Sequence, residues 1–369
     1  MKITSSILLE AAHRATQWLA GMQTEQGNYR GASAPDAQGI YADTDDVGCY
    51  YKSIYSLRVA GQDAAAGRML RHVVDRYMRP NGDIYTNEQS RSSGSYGPVF
   101  CQMYQNAWVA RAAAAMRMYG LGRKITDFMV SMRDPAGGGF YAHVKGHTEP
   151  RSDIIDSCAT AVGALACLQH QRPDLAVESV DFLVKMFKAQ KDSDKLYTRW
   201  RGPPTRNGAF GDPAKGGLVT DLTGVSEKDY KYCYIDRKEG KQAYWIWAWP
   251  MNVMIATYEY TGDKKYLDNA VAIWEWLASA HAHAFGFTTA GKCGWGSAML
   301  FRITGDKRYL EKCLSQMEFI LSCQQHAGWM LGPGTANFIA QPLRTTYDFT
   351  ADFTSWLIDC SMELAYMGM

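Results

Sequence analysis

Hydrophobic positions along the chain fall into two alternating kinds of segment. Six stretches, at about 5–23, 63–79, 122–133, 174–190, 263–281 and 306–324, carry apolar residues at the three- and four-residue spacing of an amphipathic helix. Six others, at about 46–60, 101–119, 154–170, 243–261, 294–304 and 351–367, are apolar nearly all round, as in QNAWVARAAAAMRMYG and SCATAVGALACLQ. A helix of that second kind is buried on most sides. Between the two kinds, in each repeat, stands a small turn with a short aromatic piece: GNYRG at 27, NGDIYT at 81, GGGFYAH at 137, DKLYTRW at 194, FGFTTA at 285 and AGWMLG at 327.

Six repeats of this pattern predict an all-α fold, a single (α/α)6 toroid with six outer helices around six inner ones. The turns VAGQDAA, MYGLGRK, YTGDKKYLDNA and ITGDKRYLEKC, with glycine near the helix end, join each inner helix to the next outer one. The links into the inner helices are longer, and the longest spans 191–242, an expected lid over the site. All long loops then lie at one end of the barrel, which becomes the expected site. No Pro-, Gly- or Ser-rich linker divides the chain, so residues 1–369 are expected to form one barrel domain.

Composition narrows the function. There are 39 Lys+Arg against 37 Asp+Glu, a net charge of +2, and no basic block, which excludes nucleic acid as an expected partner. No run approaches 18 apolar residues, and the opening MKITSSILLEAAHRATQWLAGMQ lacks a signal-peptide pattern, so a cytoplasmic protein without a membrane span is expected. The nine cysteines form no C-x-x-C pair and no zinc spacing with a histidine; no metal is expected. P-loop, G-x-G-x-x-G, G-x-S-x-G and H-E-x-x-H patterns are absent in their required contexts, and no cofactor is expected.

Two resemblances add to this. Trp18-Leu19, Gln23 and Gly27-Asn28-Tyr29 resemble the QW motif of squalene–hopene and other terpene cyclases. Phe319-Ile320, Gln324 and Gly328-Trp329 form a shortened version, and Phe128-Met129, Arg133 and Gly139-Phe140 a weaker one. Asp43-Thr44-Asp45-Asp46, before the first inner helix, is similar to the DxDD motif of class II terpene cyclases. The resemblance implies Asp45 as the general acid that protonates an alkene or epoxide. The TGDKKYL and TGDKRYL turns are similar to those of other (α/α)6 proteins, among them unsaturated glucuronyl hydrolases and sugar epimerases. The inner-helix histidines of the epimerases have no counterparts here.

The residues at the inner-helix entrances form the candidate site. Asp43, Asp45, Asp46 and Asp156 are the candidate catalytic carboxylates: like charges in a partly desolvated pocket raise one another's pKa, so that one holds its proton as an acid. The same aspartates also suit helix capping. Candidate substrate-binding groups are Tyr104, Asp153, Tyr244, Trp245, Trp247, Trp295, Tyr347, Asp348, Arg151 and Arg344, with Lys292, Asp352, Trp249 and Trp356 at the same entrances. Trp245, Trp247 and Trp249 alternate on one helix and cannot all face the cavity. Cys158 and Cys293 are reactive only beside a base. Arg30, Arg91, Arg151, Arg206, Arg237, Lys292 and Arg344 recur at the same end and suggest an anionic group on a small-molecule substrate.

Three functions follow. The first is a terpene-cyclase-like enzyme, cyclising or isomerising an isoprenoid by acid catalysis in an aromatic cavity. The second is a glycoside hydrolase or lyase acting on an acidic sugar, with Asp45 or Asp46 paired to Asp156 or Asp348. The third is a non-catalytic binding toroid.

Overall fold

A computed structural model describes residues 3–31, 46–86, 96–142, 153–203, 205–206, 211–223, 225, 227–333 and 343–369. The outer helices are α1 (Ser5–Met22), α3 (Asp63–Tyr77), α5 (Tyr119–Ser131), α7 (Pro173–Lys188), α9 (Lys264–Ala278) and α11 (Lys307–Ser322). The inner helices are α2 (Ser53–Val59), α4 (Tyr96–Ala115), α6 (Ser157–Gln169), α8 (Trp245–Thr261), α10 (Ala290–Thr304) and α12 (Leu343–Tyr366). Neighbouring inner helices pack in chain order, and α12 returns to α2, so the inner ring closes. Each later outer helix packs on the inner helix just before it, while α1 packs on α12. This is the expected (α/α)6 toroid.

Helix boundaries follow local chemistry. In TGDKKYL, Gly262 closes α8 in the left-handed region (φ 74°) and Asp263 caps α9, accepting from the Lys265 amide at 2.9 Å. Gly305 and Asp306 do the same between α10 and α11. One residue ends a helix and the next begins another. The largest departure is α12, which starts at 343 rather than 351 and so carries Arg344, Tyr347 and Asp348 on the helix itself.

The turns after four of the outer helices, α1, α3, α5 and α11, share one construction. Gln23 bridges in antiparallel fashion to Tyr29, Met78 to Ile84, Arg133 to Phe140 and Gln324 to Met330. Gly27 has φ +96°, and a Cβ there would lie 2.3 Å from the Arg68 carbonyl oxygen on the next outer helix. Gly328 (φ +103°) approaches the Arg14 carbonyl of α1 in the same way, at 2.5 Å. The Gln23 amide donates to Gly27 O at 3.2 Å and Ala65 O at 3.0 Å, and its oxygen accepts from Arg68 Nε at 3.1 Å. Gln324 repeats the set with Gly328 O, Ala11 O and Arg14 Nη2, at 3.1, 2.7 and 2.7 Å. The QW-like residues thus staple one outer helix to the next.

The 191–242 segment, expected as a loop, carries short strands. β1 (Ile154–Asp156), β3 (Arg199–Arg201) and β4 (Gly217–Leu218) form one antiparallel sheet; β2 (Lys195–Tyr197) and β5 (Tyr234–Asp236) form another. Strand pairing, with 3-10 turns at Pro213–Lys215 and Glu227–Tyr232, is how the described part of this segment meets its hydrogen-bonding needs.

Gly27→Ala and Gly328→Ala should each lower stability by about 2–4 kcal/mol, since a left-handed φ and a carbonyl clash add. Gln23→Ala should cost about 1–3 kcal/mol, the desolvation cost of stranded partners. Urea unfolding monitored by circular dichroism measures all three.

Candidate active site

Four charged side chains meet inside the inner ring at the entrance end. Lys52, just before α2, lies 2.9 Å from Asp348 Oδ1 and 3.4 Å from Asp352 Oδ1. Lys292, on the first turn of α10, donates to both Asp352 oxygens at 3.0 and 3.2 Å. Asp348 and Asp352 stand four apart on α12, so they share a face with Arg344 above and Trp356 below. Lys52, Lys292 and Asp352 are buried, whereas the Asp348 side chain is 31% exposed. The series runs Asp348, Lys52, Asp352, Lys292 from the solvent side inward.

Each group responds to its neighbours. Burial disfavours charge on Lys52, but Asp348 and Asp352 together outweigh it and hold its pKa well above the ordinary value. Burial would also raise Asp352, yet the two lysines hold it below the ordinary carboxylate range. Lys292 goes the other way: burial lowers its pKa, and the Lys52 charge adds to that despite Asp352.

Aromatic rings wall the cluster. Lys52 Nζ lies 5.4 Å from the Tyr51 ring centre and 5.8 Å from that of Tyr104. Tyr104 meets Trp245 at 5.7 Å and Trp249 at 5.9 Å. Burial pushes the Tyr104 phenol far up, so it keeps its proton. Beneath lie Trp108, Trp249 and Trp356, each within 6.1 Å of the other two.

The remaining expected residues distribute differently. Asp43, Asp45 and Arg151 lie outside the described residues. Asp46 caps the 3-10 turn at 47–49, accepting from the Gly48 amide at 2.8 Å and Thr86 Oγ1 at 2.9 Å, and pairs with Arg344 at 2.5 Å. Asp156 caps α6 through the Ala159 amide and faces Arg199 at 4.0 Å; burial raises its pKa. Asp153 pairs with Arg201 at 3.2 Å, at the sheet and away from the lysines.

Two phenols expected at the site are structural. Tyr244 donates to the Asp236 and Glu239 carbonyls, and Tyr347 donates to the Arg30 carbonyl and stacks on Tyr29 at 4.1 Å. Trp247 turns outward onto Phe187 of α7, because a residue two positions on lies on the opposite side of a helix; Trp245 and Trp249, four apart, turn inward. Trp295 packs on Trp356 at 5.8 Å.

Cys293 is buried and donates to the Ala284 carbonyl; burial pushes its thiol up to about 12, so it is not a thiolate nucleophile. Cys158 is buried on the first turn of α6. Of the cations expected at this end, Arg344, Lys292 and Arg237 are each paired with an acid. Among the described residues no group of three or more His, Cys, Asp or Glu side chains could hold a metal, and no helix is long and apolar enough to cross a membrane.

Lys52 was missed by sequence reasoning. Its signal was a lone charge inside the apolar run VGCYYKSIYSL. A lysine there is buried only if acids meet it, and the paired aspartates of TYDFTADFT lie some 300 residues away.

No family model and no curated protein sequence matches the chain. Solved structures do. A glycoside hydrolase family 76 mannosidase from Bacteroides thetaiotaomicron is 15% identical, over 98% of this chain and 99% of its own, with a TM-score of 0.64. A D-mannose isomerase is 14% identical over 97% of each chain, with a TM-score of 0.66. An unsaturated glucuronyl hydrolase specific for heparin is 11% identical, over 99% of this chain and 97% of its own, with a TM-score of 0.55. At these identities the likeness shows the fold. It supports the second resemblance seen in the sequence and not the terpene cyclases.

Asp352→Asn leaves two buried lysines facing each other and should cost about 3–5 kcal/mol, whereas Asp352→Leu combined with Lys292→Met should recover most of it. The Asp352 contribution should be complete above about pH 4 and fade as pH falls through its lowered folded pKa. Denaturant unfolding from pH 2 to 7 checks this: the wild type should lose stability on acidification and Asp352→Asn should lose less.

Proposed function

We propose that this chain is a carbohydrate-active enzyme working by acid–base catalysis at the entrance end of its inner ring. The observation that carries the reading is the charged series of part-exposed Asp348 and buried Lys52, Asp352 and Lys292 beside an aromatic wall. Supporting it, the chain shares its fold with the mannosidase, the mannose isomerase and the glucuronyl hydrolase, each an enzyme of carbohydrate chemistry.

The groups fit proton transfer at a carbon next to a sugar carbonyl. Asp352 stays ionised beside two lysines, Asp348 and Asp352 are the carboxylates placed to serve as bases, and the Tyr104 phenol holds a proton to give. The Lys52 ammonium faces the oxygen on which charge develops. Trp245, Tyr51 and Tyr104 supply faces for a sugar ring. Because the rim cations Arg344 and Arg237 already have acid partners, a neutral sugar suits the site better than an acidic one.

One observation favours hydrolysis as a second reading. Asp156 is a carboxyl group whose pKa burial raises, as a glycosidase general acid requires. That mechanism needs a second carboxylate at about 5–5.5 Å or 6.5–9.5 Å. An isoprenoid reaction begun by Asp45 draws no support from the structural neighbours.

The test is to incubate the full chain with D-mannose, D-fructose and α-mannosides in D2O and follow them by NMR. Deuterium should enter at the carbon beside the carbonyl, and Asp348→Asn and Tyr104→Phe should each lower kcat about 10²–10⁴-fold. Mannoside cleavage without carbon exchange would instead establish the hydrolytic reading. If no sugar is altered, the carbohydrate reading fails.

A further inference from the structure

We propose that Lys292 is a covalent nucleophile that captures the open-chain carbonyl of the substrate as an imine; this rests on the carbohydrate reading and names the chemistry of that same site. Its place in the charge series singles it out. Lys52 has two carboxylates, Asp348 at 2.9 Å and Asp352 at 3.4 Å. Lys292 has one, Asp352 at 3.0 Å, and shares it. On its other side is the Trp356 ring, 5.1 Å from Nζ.

Asp348 is part-exposed, so water screens it. The buried part of the cluster is then one carboxylate and two amines. It is electrically neutral only when one amine has lost its proton, and charge in a low-dielectric site is costly. Lys52, with two carboxylates, keeps its proton. Lys292 gives it up. A desolvated lysine beside a second cation is the arrangement that makes an amine nucleophilic at neutral pH. The lowered pKa of Lys292, from burial first and then from Lys52, has the same direction. The titratable neighbours that face it are Asp352, Lys52, Asp348 and Cys293.

The chemistry balances without another reactant. The Nζ lone pair forms a C–N bond to the carbonyl carbon as the C=O π pair moves onto oxygen. Two protons leave the nitrogen in turn, carried by Asp352, and both end on that oxygen, which departs as water. The products are one imine and one water. An imine acidifies the neighbouring C–H bond, which serves the proton transfer at carbon described above.

The experiment incubates the full chain with D-mannose, and in a parallel arm with propanal, each with sodium cyanoborohydride, and maps peptides by mass spectrometry. Lys292 should carry a reduced adduct at pH 7 in about tenfold excess over the exposed Lys264 and Lys307. Its labelling should rise less steeply with pH than that of a lysine of ordinary pKa. Lys292→Arg should lose the adduct, and the wild-type labelling pattern stands whether or not that variant folds. Lys292 labelled no faster than the exposed lysines overturns the proposal. Carbon exchange on mannose with no Lys292 adduct from either aldehyde overturns the imine and leaves the carbohydrate reading standing. Labelling by propanal but not mannose keeps the nucleophile and removes the sugar.

Discussion

The toroid depends on the contact between the turn ending one outer helix and a carbonyl of the next. At Gly27 and Gly328 the turn backbone sits where a Cβ would strike Arg68 O or Arg14 O. Only a residue without a side chain permits that approach and the left-handed φ together. The glutamine amides then satisfy both the turn and the neighbouring helix. The contact at Gly328 reaches back to α1, so the same device that spaces the outer helices also joins the last repeat to the first. A closed ring fixes where the inner helices begin, and their first turns are where the charged residues sit.

Much of this was legible in the sequence. The two kinds of apolar periodicity locate the outer helices to within a few residues and the inner ones more loosely at their starts, α2 and α12 above all, because an all-apolar helix and a one-faced helix can only be inner and outer layers. The glycine–aspartate turns were legible too, since capping is local. The candidate site was legible in part. Asp348, Tyr104 and Trp245 come to the lysine cluster, but Tyr244 and Tyr347 spend their hydroxyls on backbone carbonyls, and Trp247 packs outward. A side chain's presence at a helix entrance does not say which way it turns. Lys52 was invisible for a different reason: its partners are on α12, and a pairing over that separation leaves no local trace. The QW-like residues misdirected the functional reading, for they describe outer-ring stapling, a requirement of the fold rather than of one chemistry.

The inner ring is layered along its axis. Below the lysine–aspartate cluster, Trp108, Trp249 and Trp356 form an apolar floor, and below that Arg111 pairs with Asp359 at 2.7 Å beside Tyr55, Trp295 and Trp356. Arg111 is planar and weakly hydrated, so aromatic faces can enclose it at small cost. The indoles stand between the two charged layers and make the surroundings of Lys292 and Asp352 apolar, which lowers the local dielectric. A site that opens at one end and is floored by aromatics can shift the pKa of its innermost group most. That group is Lys292.

Stability alone does not account for the four charges at the entrance. Replacing a buried ion pair with packed apolar residues is often neutral or favourable by about 1–4 kcal/mol, and the surrounding helices are already rich in residues that would pack. A structural pair would also match one lysine to one aspartate. Here Asp352 serves two lysines while Asp348 faces the mouth, so the set is unevenly compensated from outside to inside. Uneven compensation makes neighbouring groups of one chemical type differ in proton affinity: Lys52 is driven up and Lys292 down, although they share a carboxylate. Lysines driven apart in this way would suit the proposed imine chemistry, with Lys52 as the fixed cation and Lys292 as the amine.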